Sequence, residues 1–173
     1  VPKIERKQVA DRGSLSPAVR KMVNEHTYIK MVIASIPGVI SLLESDLDAG
    51  IPVVEKVVDF IKNYADKFHH AKEEDILFIA MLENIDCLHC NPIPVMLNEH
   101  DKGRDFVKGM ETGISENNTK KIIENAKDYC MLLEQHIYKE DNVLYPMAEE
   151  ALTDEQKELV NRKYQEAEKR LNA

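Results

Sequence analysis

Cysteine is scarce in this chain of 173 residues: Cys87, Cys90 and Cys130 are too few, and odd in number, for a disulfide framework. A reducing cytoplasm is the expected setting. Strand-like alternation of apolar and polar residues is missing throughout, so an all-α fold is expected. No unbroken apolar run approaches the ~18 residues that span a bilayer. Residues 1–13 are polar and lack an apolar core, so a secretory signal is not expected there. Basic charge is also short: 23 Lys and Arg stand against 31 Asp and Glu, a net charge of −8. Nucleic acid and anionic membrane surfaces select basic patches, so neither is an expected partner.

What is present is helix punctuation. Ser16-Pro17 reads as an N-cap followed by proline at the first helical position. An apolar-periodic run continues to about Leu47, with a kink or break expected at Pro37-Gly38 and a stop at Asp48-Ala49-Gly50. Pro52 opens a second helix that runs to about Glu83, Asn91-Pro92 opens a third that stops at Gly113, and Ser115 opens a fourth that runs to Tyr145-Pro146. Thr153-Asp154-Glu155-Gln156 resembles a capping box and starts a short fifth helix ending near Leu171. The expected fold is an up-down-up-down four-helix bundle with that fifth helix at its C-terminus. Residues 1–15 read as a polar extension and 16–173 as one domain.

The apolar stripes of these helices carry polar residues. Helix one reads Met22, His26, Ile29, Ile33, Ile36, Ile40, and helix two Val58, Ala65, His69, Glu73, Ile76, Ala80. Helix three reads Ile93, Met96, His100, Gly103, Val107, Met110. Helix four reads Ile122, Ala126, Tyr129, Leu133, His136, Glu140, Val143, Met147. This is the period of a helix facing a core. One histidine on such a stripe is usually a satisfied core residue. Four of them on four helices, joined by two carboxylates, are not explained that way, because a buried carboxylate is costly unless paired or bound to metal.

An internal repeat orders these residues. Asn24-Glu25-His26 recurs as Asn98-Glu99-His100, and H-x-x-K-E-[ED]-x-[IV]-L-[FY] occurs at His69 and again at His136. Residues four apart share a helix face, so each His-x-x-x-Glu pair can reach one centre. His70 and Glu74 have the same spacing, but the repeat aligns His70 with Ile137 and His69 with His136. The expected metal ligands are therefore His26, His69, Glu73, His100, His136 and Glu140, with His70, Glu74 and Asp141 as extra ligands or supporting neighbours. If Glu73 and Glu140 bridge two metals, each metal holds two imidazoles and two carboxylate oxygens. Iron or manganese takes about six ligands, which leaves positions for a small molecule; zinc also accepts such donors.

These motifs resemble the hemerythrin-like (HHE cation-binding) family from about Ser16 to Glu150. The resemblance implies a four-helix bundle around two iron ions joined by an oxo or hydroxo bridge. Met96 and Arg104 stand where a His-x-x-x-His pair would involve His100, so the set is more similar to bacterial hemerythrin-like proteins and to iron–sulfur cluster repair proteins than to oxygen carriers. The ferritin-like alternative needs Glu-x-x-His, which does not occur. The expected function is reaction with hydrogen peroxide, oxygen or nitric oxide in stress defence, as a peroxidase-like, catalase-like or nitric-oxide-reducing enzyme. The alternative is reversible binding or sensing of oxygen, nitric oxide or iron without turnover. A monomer or homodimer is expected. Cys87-Leu88-His89-Cys90 reads as two reduced thiols in a loop. Tyr28, Tyr138 and Tyr145 are candidates for packing near the metals.

Overall fold

The structure is a computed structural model that describes residues 15–171; the expected extension at 1–15 falls almost wholly outside them. Among the described residues there is no strand. Five helices follow in order: α1 Pro17–Ser45, α2 at 47–82, α3 Ile93–Ser115, α4 at 119–151 and α5 Asp154–Leu171. Helix α1 packs against α2 and α4, and α3 packs against α2 and α4, so the four long helices close a ring of contacts. Helix α5 lies on α1 and α2.

Local chemistry sets most boundaries. The Ser16 hydroxyl accepts from Val19 N at 3.4 Å, and the Asp46 carboxylate accepts from Ala49 N at 3.0 Å. Asp46 both ends α1 and caps α2, so α2 starts at Leu47 rather than Pro52, and Asp48 to Gly50 form its first turn rather than a stop. Pro52 lies inside α2, where it lacks the N–H that the Asp48 carbonyl would accept. Gly113 does not stop α3; it is a close approach, where a Cβ would lie 2.7 Å from Ile122 Cγ1 of α4. The turn comes later, at Asn117 with φ of 50°, and Asn118 rather than Ser115 caps α4 by accepting from Lys121 N. The Thr153 hydroxyl accepts from Gln156 N while the Gln156 amide accepts from Thr153 N, the expected capping box of α5.

Pro37 does not break α1, which runs unbroken across it. Proline removes the N–H that the Ile33 carbonyl would accept, and the Cys130 thiol approaches that carbonyl at 3.8 Å. Pro146 does not end α4 either. It lies in the first turn of an α segment that follows a wide π turn at Glu140–Leu144.

Helix α2 contains a matching π turn at Glu73–Leu77, at the same point of the repeat. Each wide turn adds a residue and shifts the buried stripe by one position. Leu77, Phe78 and Met81 are buried where Ile76 and Ala80 were expected, and Leu144, Tyr145 and Ala148 are buried where Val143 and Met147 were expected. Val143 is 45% exposed. Upstream of Glu140 the expected stripe is the buried one; α2 has a further wide segment at Ile61–His70, where His70 is buried beside the expected His69.

Helix α1 also corrects a second expectation. Its 29 residues include an 18-residue window of mean hydropathy 1.4, long and apolar enough by length and composition to cross a membrane. Lys30 interrupts the apolar run without lowering that average enough to fail the test. In this fold its stripe from Met22 to Ile40 is buried against the other helices.

The core has two apolar layers. One gathers Ile33, Ile36, Val58, Val107, Leu133 and neighbours; the other gathers Met22, Leu77, Met96, Leu144, Tyr164 and neighbours. The buried histidines and glutamates lie at or next to the sequence boundary between these two sets on every long helix.

Candidate metal centre

Each of four buried imidazoles is tied by its Nδ1 to a carboxylate on another helix. His26 Nδ1 lies 2.7 Å from Asp141, His69 Nδ1 2.9 Å from Glu25, His100 Nδ1 2.7 Å from Glu74 and His136 Nδ1 2.9 Å from Glu99. A carboxylate at Nδ1 fixes the proton there and leaves Nε2 as an acceptor, the arrangement found behind metal-ligating histidines. The ties follow the repeat. The Glu preceding each histidine of α1 and α3 holds the histidine of the next helix, and the acid following each inner glutamate holds the histidine of α3 (Glu74) or α1 (Asp141). The π turns allow this: two consecutive acids, Glu73-Glu74 or Glu140-Asp141, both engage the site.

The Nε2 atoms then face one another. His26 and His69 meet at 3.0 Å, and His100 and His136 meet at 3.0 Å. Glu140 lies 3.1 Å from His26 Nε2 and 2.9 Å from His136 Nε2, and Glu73 lies 3.6 Å from His100 Nε2 and 3.7 Å from His69 Nε2. With the imidazoles neutral at Nε2, Glu73 Oε2 and both Glu140 oxygens are buried without a donor. Acceptors thus converge on acceptors, which is unstable unless protons or a cation lie between them. Tyr145 donates to Glu73 Oε1 at 2.8 Å.

The donors form two groups. His70, Glu73, His100 and His136 make one and His26, His69 and Glu140 the other; within each, one ligand atom per residue lies within 4.8 Å of all the others. All seven residues are buried. Such mixed imidazole and carboxylate donors fit iron, manganese or zinc.

The sequence model of one protein family, described as the hemerythrin HHE cation binding domain, matches residues 18–148. The chain belongs to the hemerythrin HHE family. No curated protein and no solved structure matches it. Membership implies metal-cation binding, and the two His/Glu groups are able to hold a metal.

Protons mark the HHE site in its metal-free form. Burial opposes charge on His26, but hydrogen bonds to Asp141 and Glu140 outweigh it and raise its pKa to about 9. Burial likewise opposes charge on His136, yet the Glu140 charge and hydrogen bond and the Glu99 bond raise it to about 10. Burial pushes Glu140 up, but the His136 charge and the surrounding imidazole bonds hold it well below the carboxylate range. Burial and then the Glu140 charge drive Glu73 well above that range. Burial, followed by the His26 charge, keeps His69 neutral.

All six residues expected as ligands converge here. Among the three expected extras, Glu74 and Asp141 hold imidazoles and His70 enters one donor group. Glu25 and Glu99 were assigned no role from sequence; their recurrence before His26 and His100 was the available signal. Lys72 is 1% exposed and bonds Glu25 at 2.5 Å and Glu168 of α5 at 2.9 Å, whereas Lys139, bonded to Glu99, is 36% exposed. Of the three tyrosines, Tyr145 reaches the site; Tyr28 and Tyr138 are 58% and 67% exposed. Cys87 and Cys90 are exposed free thiols in the 83–92 connection.

Proposed function

We propose that residues 16–173 form one hemerythrin-like domain, an up-down-up-down bundle with a fifth helix, that holds two irons on His26, His69, Glu73, His100, His136 and Glu140. The ring of helix contacts supports the bundle. The ligand reading rests on one observation: four inward Nε2 atoms and three buried carboxylate oxygens share a space with no donor fixed between them. Manganese or zinc would suit the same donors, and the four-His, two-Glu set aligns the chain with bacterial hemerythrin-like and cluster-repair proteins. Free thiols agree with a reducing cytoplasm.

Two irons would supply electrons to hydrogen peroxide, oxygen or nitric oxide, a role suited to stress defence. The chain's own contribution is placement. Asp141, Glu25, Glu74 and Glu99 keep four Nε2 lone pairs inward, and the two apolar layers exclude water. A second reading is reversible binding of oxygen, nitric oxide or iron without turnover. Tyr145 favours it: this buried hydroxyl is committed to Glu73, to which it donates at 2.8 Å.

Elemental analysis of protein grown with added iron, with absorption spectra before and after peroxide, tests both readings. About two irons per chain, as the bridged site requires, with turnover of peroxide supports the enzyme; the same iron with a spectral change and no turnover supports the binder. Zinc alone, or metal well below one per chain, overturns the di-iron proposal.

A further inference from the structure

A cavity of about 140 Å³ lies between α2 and α3, with His70 and His100 at its inner end. Its size matches an apolar cavity of ~150 Å³ that accepts benzene or xenon. Ile61, Gly103 and Val107 supply apolar wall. At the mouth, Lys62 pairs with Glu111 at 2.5 Å, and Arg104 pairs with Asp66 at 2.8 Å and Glu74 at 2.7 Å. Every cation there is matched by an acid, so the mouth does not recruit anions.

His70 stands between this cavity and the donor group it shares with Glu73, His100 and His136. It differs from the other four buried imidazoles. Their Nδ1 atoms sit 2.7 to 2.9 Å from carboxylates. His70 Nδ1 is 3.7 Å from Asp66 Oδ1, too long for a hydrogen bond, and that oxygen is already taken by Arg104 Nε at 2.9 Å. The ring stacks on His100, with ring centroids 4.0 Å apart. The other half of the repeat has buried Ile137 here, so the arrangement occurs once.

We propose that this cavity admits a small uncharged ligand, a diatomic such as dioxygen or nitric oxide, and that the untethered His70 ring is its inner door. The inference rests on the two-metal reading for what lies behind the door. The cavity itself does not depend on metal. With the ring stacked on His100 the passage is closed, and a turn of the ring about its side-chain bonds opens it. The chain then passes neutral diatomics and excludes larger or charged molecules.

Two measurements separate the cavity from the metal. Xenon binding to the metal-free full chain, followed by xenon NMR, reports the cavity. Nitric oxide association with iron-loaded protein, followed by stopped-flow absorption, reports entry. Gly103→Leu fills the cavity, and a Cβ at Gly103 has room because its nearest neighbour, Tyr129 Cε2, is 3.7 Å away. Val107→Phe fills it from a second wall should the first variant fold poorly. Both fillers are expected to exclude xenon and slow nitric oxide by about tenfold or more, while His70→Ala, compared per iron bound, speeds it by about tenfold, as for a rate set by an opening step. An unchanged rate in folded filler variants overturns the route, and an unchanged rate per iron in His70→Ala overturns the door. If the wild-type chain takes up no metal, the two-metal reading fails and the door with it. Xenon bound in the wild type and excluded by the fillers then still supports the pocket, and no xenon overturns that too.

Discussion

Glu25 and Glu99 perform the same task on His69 and His136, but different lysines stand behind them. Removing Glu99 frees a half-exposed Lys139 that solvent can accommodate, whereas removing Glu25 strips a partner from the buried Lys72, which also sits 3.8 Å over the Phe68 ring. Glu99→Leu should therefore lower metal affinity by roughly 10–100-fold in a chelator competition, with a smaller loss of metal-free stability than removal of Glu25. Glu25→Leu should lose similar affinity and also lower stability in urea unfolding, by less than the roughly 3–5 kcal/mol of a fully broken buried pair, because Lys72 keeps Glu168. Equal stability losses in the two variants would count against this account. Two tyrosines make a second contrast. The Tyr164 hydroxyl is buried with no partner, while Tyr145 donates to Glu73. Tyr164→Phe should leave the metal-free Tm unchanged or raised, because an unsatisfied hydroxyl costs about 1–3 kcal/mol to bury, and Tyr145→Phe should lower it by orphaning Glu73.

At the scale of the element, the paired π turns decide which residues meet. A regular α-helix would carry Val143 inward and point Asp141 elsewhere; the extra residue at Glu140–Leu144 sends Asp141 to His26 and buries Leu144. A π turn is an inserted residue in an α-helix, so deleting exposed Asn142 should restore α geometry without disturbing Tyr145 or Ala148 downstream. The expected result is unchanged helicity by circular dichroism with metal affinity down by roughly 10–100-fold, because the His26 tie is lost. Reduced helicity would show that the wide turn is needed to fold. Helix α5 also acts at this scale. It supplies Glu168 to Lys72 and covers one half of the repeat only, which is why Lys72 is buried and Lys139 is not.

For the whole molecule, protonation and metal binding compete. His26 and His136 have pKa values raised to about 9 and about 10. Raised values mean that their charged forms stabilise the metal-free fold fully below about pH 6.5, the unfolded histidine value, and that this contribution fades as pH rises through 9 and 10. A metal must displace those protons. Metal uptake should release protons near neutral pH, and affinity should climb with pH up to about 9. Titration calorimetry in buffers of different ionisation enthalpy measures the release, and none at neutral pH would contradict the protonation scheme. His100→Ala with Glu140→Ala should abolish the rise in Tm on metal loading, because a ligand stabilises only the state that binds it.

The sequence by itself determined the helical class, the repeat and the six converging residues. Each histidine falls three or four residues from apolar neighbours, which puts it on the core-facing stripe, and a carboxylate four residues on shares its face. It also determined the cap at Ser16 and the capping box at Thr153, since those bonds are local. Only the tertiary structure decided the rest. A fixed 3.6-residue period does not encode a wide turn, so the stripes beyond Glu73 and Glu140 are misread by one position. Glu25 and Glu99 look like surface acids beside a histidine until the neighbouring helix brings His69 and His136 to them. His70 aligns with an isoleucine in the repeat, and only the packing of α2 on α3 shows it at the floor of a cavity, beside four donors and without a tie of its own.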